Sequence, residues 1–464
     1  MTEILDPLAT AHAIESTYKR YITTILSPND AALHEAFVRV VDETRSLTKG
    51  PLLETTPPYS PGRTLSQLID EGVLSPSFRR VGGPALPLDR PLYAHQEEAI
   101  RKVIAGRNVV VTTGTGSGKT ESFLLPIFDH LVAEQAAGTL GPGVRALLLY
   151  PMNALANDQL KRLRSLLADV PEITFGRYTG ETKHSAKDAR RHFESLHPGQ
   201  AILPNERLSR EEMQAEPPHI LLTNYAMLEY LLLRPRDIEL FASHGRQTWR
   251  FVALDEAHVY DGAQASEVGM LLRRLKDRVA PADRLQYIAT SASLHGAPSE
   301  VTTFASDLFN ADFAFADDPG EQDVVHAQRI EDNDDATWEL SPEDLLSIAD
   351  GATDEWGFAD SDGPDLDRLV SLSGMPTAGS ALDHEAHVVA LRQLLKDVPR
   401  DIRTVAVDLW PGRDDADRLV ETLVRLGGRV LLDSGHPVLS ARYHYFVRAT
   451  EGAFTCLSES GPHV

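Results

Sequence analysis

A run of eight residues carries the strongest chemical signal in this sequence. It alternates glycines with small polar residues and closes on a lysine and a threonine: Thr113, Gly114, Thr115, Gly116, Ser117, Gly118, Lys119 and Thr120. Such glycines let backbone N–H groups turn inward around phosphate oxygens. In a loop of this kind Lys119 reaches the β- and γ-phosphates of ATP, and the Thr120 hydroxyl is a Mg²⁺ ligand. The run therefore predicts a site for ATP and Mg²⁺, although the general pattern has glycine where Thr113 stands.

An acidic run lies further along the chain. Asp255, Glu256, Ala257 and His258 directly follow the apolar stretch Arg250–Leu254. Asp255 is suited to hold Mg²⁺, and Glu256 to orient and deprotonate an attacking water. A capped helix start is the alternative explanation for four such residues taken alone. Their position after an apolar strand, downstream of Lys119, favours the catalytic interpretation.

The elements that must position these residues alternate in type. Six short apolar runs are separated by amphipathic stretches, of which Lys119–Glu134, Ala154–Leu167 and Ala265–Val279 are helix-like. The apolar runs are Asn108–Thr113, Arg145–Tyr150, Ile173–Tyr178, His219–Thr223, Arg250–Leu254 and Leu285–Thr290. Buried strands that alternate with helices indicate an α/β fold, a parallel sheet with helices on both faces. Ligands bind beyond the carboxyl ends of such strands, which is where both polar runs lie.

The pattern divides the chain into three regions. Residues 1–85 are predicted to be a helical extension, residues 86–315 the α/β domain, and residues 316–464 an acidic linker followed by a mixed accessory segment. The stretch Asp317–Asp367 is interpreted as a solvated loop or linker. Arg442–Val447 and Ala453–Leu457 are predicted to form a hairpin-like pair of strands.

Composition excludes several classes of protein. The 464 residues are 42% hydrophobic and 24% charged, which is typical of a globular chain. The longest apolar runs are too short for a membrane helix, and a single cysteine, Cys456, favours a reducing, cytoplasmic setting. The net charge of −23 argues against a general polyanion binder. However, most of this negative charge lies in residues 316–464, which hold 30 acidic and 12 basic residues. The acidic and basic residues of the rest of the chain are nearly equal in number, which is compatible with a local basic groove for nucleic acid.

The order of the motifs resembles that of a superfamily-two helicase of the DEAD/DEAH-box type. The resemblance covers Pro91 to Leu294. Besides the two runs above, it rests on a glutamine motif that contains Gln96, on Pro151–Gln159, on Tyr178–Glu181, on Thr223–Leu228 and on Ser291–Ser293. It implies a RecA-like fold and an ATP-dependent activity on nucleic acid.

The resemblance also implies roles for individual residues. Gln96 reads adenine, and six residues on strand-end loops contact one nucleic-acid strand through its phosphates: Pro151, Asn153, Thr179, Gly180, Thr223 and Asn224. Ser291 and Ser293 link His258 to that strand-binding face. Two alternatives stay open. Asn153, Thr223 and Asn224 could be helix caps, and the two serines could be ordinary turn residues.

A narrower resemblance points to the branch that contains mitomycin repair factor A, with relatives in phage defence. It rests on Tyr260–Ala263, on Leu271–Leu275 and on Arg442–Arg448. It favours DNA over RNA, a role in repair or defence, and an accessory zinc-binding region. His95, His184 and His444 do not have the spacing of a metal cluster, and Arg273 and Arg274 are interpreted as a solvated or salt-bridged face.

Helicases of this type close ATP between two lobes, and the second lobe supplies arginine fingers from a Gln-x-x-Gly-Arg-x-x-Arg motif. The sequence holds no such string, so the resemblance implies the first lobe, with a second lobe in the same or another chain. We therefore expect ATP binding with weak hydrolysis by the chain alone. Two alternatives remain: a nucleotide-dependent switch or clamp without unwinding, and a non-enzymatic interaction module on a degenerate ATPase.

Overall fold

The chain folds into two compact units. The computed structural model describes residues 7–25, 27–43, 48–114, 116–241, 248–279, 285–292, 297–316, 318, 320–351, 364–396 and 398–446. One unit is formed by residues 59–328, and the other joins residues 1–58 to residues 329–464. This division differs from the predicted boundaries at 85/86 and 315/316. Residues 59–85 pack with the α/β unit, and the N-terminal segment pairs with the C-terminal one.

The elements are given in chain order. The first segment holds α1 (Pro7–Ile25), α2 (Ala31–Glu43) and β1 (Lys49–Thr55). The α/β unit holds β2 (Pro61–Thr64), α3 (Leu65–Asp70), β3 (Pro91–Tyr93), α4 (Ala94–Ile104), β4 (Val109–Thr112), α5 (Lys119–Ala136), β5 (Ala146–Tyr150), α6 (Asn153–Leu166), β6 (Phe175–Arg177), α7 (Ala186–Leu196), β7 (Glu206–Arg207), α8 (Arg210–Ala215), β8 (Ile220–Asn224), α9 (Tyr225–Leu233), β9 (Phe251–Leu254), α10 (Gly262–Val279), β10 (Gln286–Ser291), α11 (Pro298–Phe309) and β11 (Val324–His326). The last segment holds α12 (Pro342–Gly351), α13 (Pro364–Ser373), α14 (Ala378–Asp383), α15 (Ala386–Leu395), β12 (Arg400–Asp401), α16 (Ile402–Leu409), α17 (Ala416–Arg429) and β13 (Ala441–Phe446).

An eight-stranded parallel sheet forms the centre of the α/β unit. Its strand order is β11-β4-β10-β9-β5-β8-β6-β7, and every pairing in it is parallel. The predicted α/β architecture with a parallel, RecA-like sheet is confirmed. Each of the six predicted apolar runs overlaps a strand of this sheet, and β10 lies between β4 and β9. The phosphate loop and the acidic run therefore lie on either side of β10, at the carboxyl ends of the strands.

Helices cover both faces of that sheet. Successive residues of β5 enter different cores: Leu148 packs with residues of α4, α5 and α6, whereas Leu147 and Leu149 pack with residues of α9, α10 and α11. This alternation follows from the two-residue period of a strand. Because both faces are apolar, the strands show continuous hydrophobic runs, as expected for a buried parallel sheet.

The interpretation of Asp317–Asp367 as a linker is wrong for two parts of it. Val324 and Val325 are buried, and β11 pairs with β4 at the edge of the parallel sheet. Leu345 and Ile348 of α12 are buried in the core of the other unit. Short apolar clusters inside an acidic stretch suffice to build elements when a sheet edge or a helix face is available to cover them.

The other unit is built around a small antiparallel sheet with the order β12-β1-β13. Leu52 pairs with Asp401 on one side and with His444 on the other, so residues far apart in sequence share one sheet. The helical character predicted for the N-terminal region is confirmed by α1 and α2. The predicted partner of β13 at 453–457 lies outside the described residues. No helix in the described ranges is long and apolar enough to cross a membrane.

A buried histidine makes the α/β unit sensitive to acid. The Nδ1 atom of His219 accepts the N–H of Thr174 at 3.0 Å, so Nε2 carries the proton and donates to the carbonyl of Gly141 at 3.2 Å. Burial lowers the pKa of His219 from 6.5 to about 4. The unfolded chain therefore binds more protons between these values, and stability present above pH 6.5 is lost as the pH falls toward 4.

We expect this loss to approach about 3 kcal/mol in the free energy of unfolding, at about 1.4 kcal/mol per pKa unit. Urea unfolding at pH 7 and pH 4.5 measures it. Burial raises the pKa of Glu206 to about 7, which acts in the opposite direction over the same range. The His219→Gln variant isolates the histidine, because it should lose less stability on acidification than the wild type. The assignment to His219 would be contradicted if His219→Gln lost as much stability on acidification as the wild type. It would also be contradicted if a substitution of the exposed His184 reduced that loss equally.

Candidate functional site

The phosphate loop joins β4 to α5 at the carboxyl edge of the sheet. Gly116 and Gly118 have positive φ angles of 78° and 69°, which side-chain-bearing residues rarely adopt. Gly118 is the N-cap of α5, and Lys119 begins the helix. The loop therefore presents backbone amides and a helix N-terminus at one point, the arrangement that binds phosphate. Thr115 lies outside the described residues.

Two residues of α4 donate hydrogen bonds to backbone carbonyls of the phosphate loop. Gln96 donates from Nε2 to the carbonyl of Gly118 at 2.9 Å and accepts the N–H of Tyr93 at 2.9 Å. His95 donates from Nε2 to the carbonyl of Ser117 at 2.9 Å, since a carbonyl can only accept. Gln96 is only 2% exposed and its amide is directed at the loop. Its role in reading adenine stays a prediction.

The acidic run meets the loop across β10. The Lys119 Nζ lies 3.5 Å from the Glu256 carboxylate and donates to the carbonyl of Thr113 at 3.2 Å. Thr290 of β10 donates its hydroxyl to the Asp255 carboxylate, which also accepts the N–H of Glu256 at 3.1 Å. Glu256 has a φ of 53°, in the left-handed region, and such strain is concentrated at functional sites.

The site's electrostatics suit a divalent cation. Burial is the main cause that raises the pKa of Asp255, which is 7% exposed. A cation would stabilise the charged carboxylate that burial penalises. Thr120, 7% exposed, accepts a hydrogen bond from the Gln159 amide at 3.4 Å, so its oxygen is held at the start of α5. Thr120 and Asp255 thus fit the predicted Mg²⁺ ligands, and the described residues contain no separate cluster of metal-binding side chains.

A contact joins the acidic run to the end of β10. The Nδ1 atom of His258 lies 3.1 Å from the Ser291 hydroxyl and 3.3 Å from the Glu256 carboxylate. Ser291 is fully buried, at the end of the strand that separates the phosphate loop from the acidic run. The structure therefore brings together the residues predicted for coupling, except Ser293, which lies outside the described residues.

The six residues predicted to contact nucleic acid gather at the ends of β5, β6 and β8. The Asn224 amide donates to the Asn153 side chain at 2.8 Å, and the Thr223 hydroxyl donates to the carbonyl of Tyr178 at 2.6 Å. Pro151 directly follows β5, and Thr179 and Gly180 follow β6 closely. These strands are neighbours in the sheet, so one edge carries all six.

These six residues differ in exposure. Thr179 and Thr223 are fully buried, and the Thr223 hydroxyl supports the loop after β6 through its bond to the Tyr178 carbonyl, whereas Gly180 is exposed and Asn153 and Asn224 are partly exposed. The helix-cap alternative holds for Asn224, whose side chain accepts the N–H of Met227 at 2.7 Å. It does not hold for Asn153, which follows the N-cap of α6, or for Thr223 at the end of β8.

Sequence reasoning missed a buried acidic residue beside the loop. Glu121 in the first turn of α5 pairs with Arg162 of α6 and lies 3.5 Å from Arg90. Together with the Gln159–Thr120 bond, this pair ties α6 to the phosphate-binding helix. The sequence offers a weak signal at best, because neither arginine lies within a fixed spacing of the phosphate loop. Arg274, by contrast, makes a surface ion pair of 3.7 Å with Glu229, in agreement with the predicted salt-bridged face.

Comparison with known proteins places this site in a family. Residues 93–301, which contain the phosphate loop, the acidic run and the strand-end loops, match the DEAD/DEAH box helicase family. These residues form a DEAD/DEAH box helicase domain.

Curated relatives of this helicase domain include a bacterial and an archaeal protein. The chain is 30% identical to the Druantia protein DruE of Escherichia coli, over 64% of this chain and 21% of that protein. It is 30% identical to the ATP-dependent helicase MJ1574 of Methanocaldococcus jannaschii, over 49% of this chain and 28% of that protein. The chain thus spans between a fifth and a third of the length of these relatives. A crystal structure of the DUF1998 helicase MrfA bound to DNA is 20% identical, with a TM-score of 0.42 over 62% of this chain and 32% of that one.

Proposed function

We propose that this chain is the ATP-binding lobe of a nucleic-acid-dependent ATPase, a DNA helicase or translocase that acts in repair or phage defence in the cytoplasm. One observation carries the proposal. Lys119 contacts Glu256, and the neighbouring Asp255 is bound by Thr290, so the two motifs form one site. The same sheet edge carries the loops predicted to hold a nucleic-acid strand. The choice of DNA rests on the narrower sequence resemblance.

The chain's own residues have separable tasks in this mechanism. Lys119 and the loop amides bind the terminal phosphates of ATP and stabilise the charge that develops on them during transfer. Glu256 orients the attacking water and accepts its proton. Thr120 and Asp255 would hold Mg²⁺, which would supply charge neutralisation at the β- and γ-phosphates. The carboxylate of Glu256 is paired with Lys119 before nucleotide arrives, and ATP phosphates would replace it as partner of the ammonium.

Coupling to nucleic acid follows from the contact between His258 and Ser291. His258 contacts both Glu256 and the end of β10, so a shift of the catalytic glutamate on nucleotide binding can move the end of β10. A second lobe would close over the nucleotide and supply the arginine finger, which contributes about 10³–10⁵ in rate. The present sequence has no such motif, and we therefore expect slow turnover.

Steady-state ATP hydrolysis by the purified chain, with and without single-stranded DNA, tests this proposal. Saturable DNA binding with slow hydrolysis would support the assignment of a first lobe. Rapid turnover that the Lys119→Ala substitution abolishes would contradict the need for a second lobe. Strand displacement by the assembly with that lobe separates a helicase from a nucleotide-dependent clamp. The contacts of Lys119, Asp255 and Glu256 argue against a degenerate ATPase that serves only as an interaction module.

A further inference from the structure

A carboxylate lies among the side chains of the edge proposed to bind nucleic acid. Glu181 directly follows the exposed Gly180 in the loop after β6, and its side chain is 50% exposed. Arg177, at the end of β6, donates to one carboxylate oxygen of Glu181 at 2.9 Å. The Asn153 amide donates to the other oxygen at 3.2 Å. Two donors, one at the end of β6 and one in the segment that follows β5, therefore converge on a single anion.

The two donors are themselves held in place. The guanidinium of Arg177 also donates to the Asn157 side chain on α6, which fixes its orientation. The Asn153 oxygen accepts from Asn224, so its NH₂ group must point toward Glu181. The hydrogen bond from Arg177 is the largest cause that lowers the pKa of Glu181, so the carboxylate is charged at neutral pH.

This arrangement has the chemistry of a phosphate site. A guanidinium and an amide that bind two oxygens of one anion are the groups with which proteins hold the non-bridging oxygens of a phosphodiester. The planar guanidinium is better suited to this contact than an ammonium would be. Both donors bind Glu181, the residue after Gly180, and nothing lies within 4 Å of a methyl group placed on Gly180, which leaves room for a backbone to approach.

We propose that Glu181 takes the place of a backbone phosphate in the free protein, and that a nucleic-acid strand binds by exchanging this carboxylate for a phosphate at Arg177 and Asn153. The proposal rests on the function proposed above, and it adds Arg177 to the residues that contact the strand. The exchange conserves the donors' hydrogen bonds, but it leaves the released carboxylate beside the bound phosphates. Glu181 thus weakens binding and keeps it reversible.

The Glu181→Gln substitution tests the exchange, because it removes the competing charge and keeps the side-chain size. We expect single-stranded DNA to bind about two- to fivefold more tightly, the range of one exposed ion pair. The dependence of log affinity on log salt should steepen by up to about 0.7, since no released carboxylate then offsets the neutralisation of one phosphate of a single strand. Fluorescence anisotropy with labelled single-stranded DNA at several salt concentrations measures both quantities.

Two further variants make the test specific. Glu194→Gln removes the same charge from an exposed position on α7, and we expect a smaller change in affinity. In an Arg177→Gln background, the gain from Glu181→Gln should be smaller than in the wild type, because the carboxylate then no longer competes with phosphate for Arg177. Thermal unfolding of each variant verifies the fold.

The possible outcomes separate the two proposals. Weaker or unchanged binding by Glu181→Gln would show that Glu181 only braces the loop, and would overturn the exchange while leaving the proposed function standing. If Glu194→Gln raised the affinity for single-stranded DNA equally, the effect would come from the net charge of the protein, and the exchange would also be overturned. If the wild-type chain fails to bind single-stranded DNA even at low salt, the proposed function itself fails, and the exchange fails with it.

Discussion

The Glu256→Gln substitution is expected to leave ATP binding intact and to lower the rate of ATP hydrolysis by about 10²–10⁴, the usual contribution of a general base. The physical reason is that glutamine keeps the size and the hydrogen-bonding reach of the side chain but cannot accept the proton of the attacking water. Single-turnover hydrolysis of labelled ATP with protein in excess measures the effect, even where turnover by this lobe is slow.

A matched control exists on the same unit. Glu229→Gln makes the same chemical change on an exposed face of α9, where the ion pair with Arg274 spans 3.7 Å. Surface pairs of this kind contribute little, so hydrolysis should stay at the wild-type rate. Hydrolysis by Glu256→Gln at the wild-type rate would contradict the role of general base. It would indicate that another group at the carboxyl ends of the strands accepts the proton.

The Gly118→Ala substitution is expected to weaken ATP binding by about 10²-fold. A methyl group at this position would lie 2.3 Å from the Gln96 amide nitrogen, on a residue whose φ is +69°. Relief of that clash displaces the loop or the Gln96 amide that binds the Gly118 carbonyl, and a shifted loop loses a charge-assisted hydrogen bond to phosphate that contributes about 1.5–3 kcal/mol. Titration with a fluorescent ATP analogue measures the affinity.

Gly138→Ala separates this clash from backbone strain. Gly138 follows α5 and has a φ of +68°, but nothing lies within 4 Å of a methyl group placed there. Both alanines carry the cost of a left-handed backbone, about 1–2 kcal/mol, whereas only the one at position 118 disturbs the phosphate loop. Gly138→Ala should lower stability and leave ATP affinity unchanged. Equal affinities of Gly118→Ala and the wild type would show that the loop does not bind phosphate in this conformation.

The nucleotide site was predictable because its signals are local. The glycines that need positive φ, the helix start at Lys119 and the acidic run after β9 each depend on a few consecutive residues. The parallel sheet followed from apolar runs that are buried on both faces. Such features are encoded at fixed spacing, and the sequence therefore gives both their type and their place at the sheet edge.

Partners that are distant in sequence were not predictable from these patterns. The sheet of β12, β1 and β13 joins segments separated by hundreds of residues, and no local pattern specifies which strands pair. The pairing of Glu121 with Arg162 depends on how α5 packs against α6. The same reason explains why Thr179 and Thr223 matched a motif but are buried. A motif identifies a loop, whereas exposure within the loop depends on the surrounding packing.

Titration of the wild-type chain with MgATP tests the central claim most directly, namely that the phosphate loop and the acidic run form an ATP site. Isothermal calorimetry should show saturable binding of one nucleotide per chain. The Lys119→Ala variant should bind at least about 30-fold more weakly, because truncating one partner of a buried charged contact costs about 2 kcal/mol or more. Absence of saturable binding by the wild type, or equal binding by Lys119→Ala, would contradict the account.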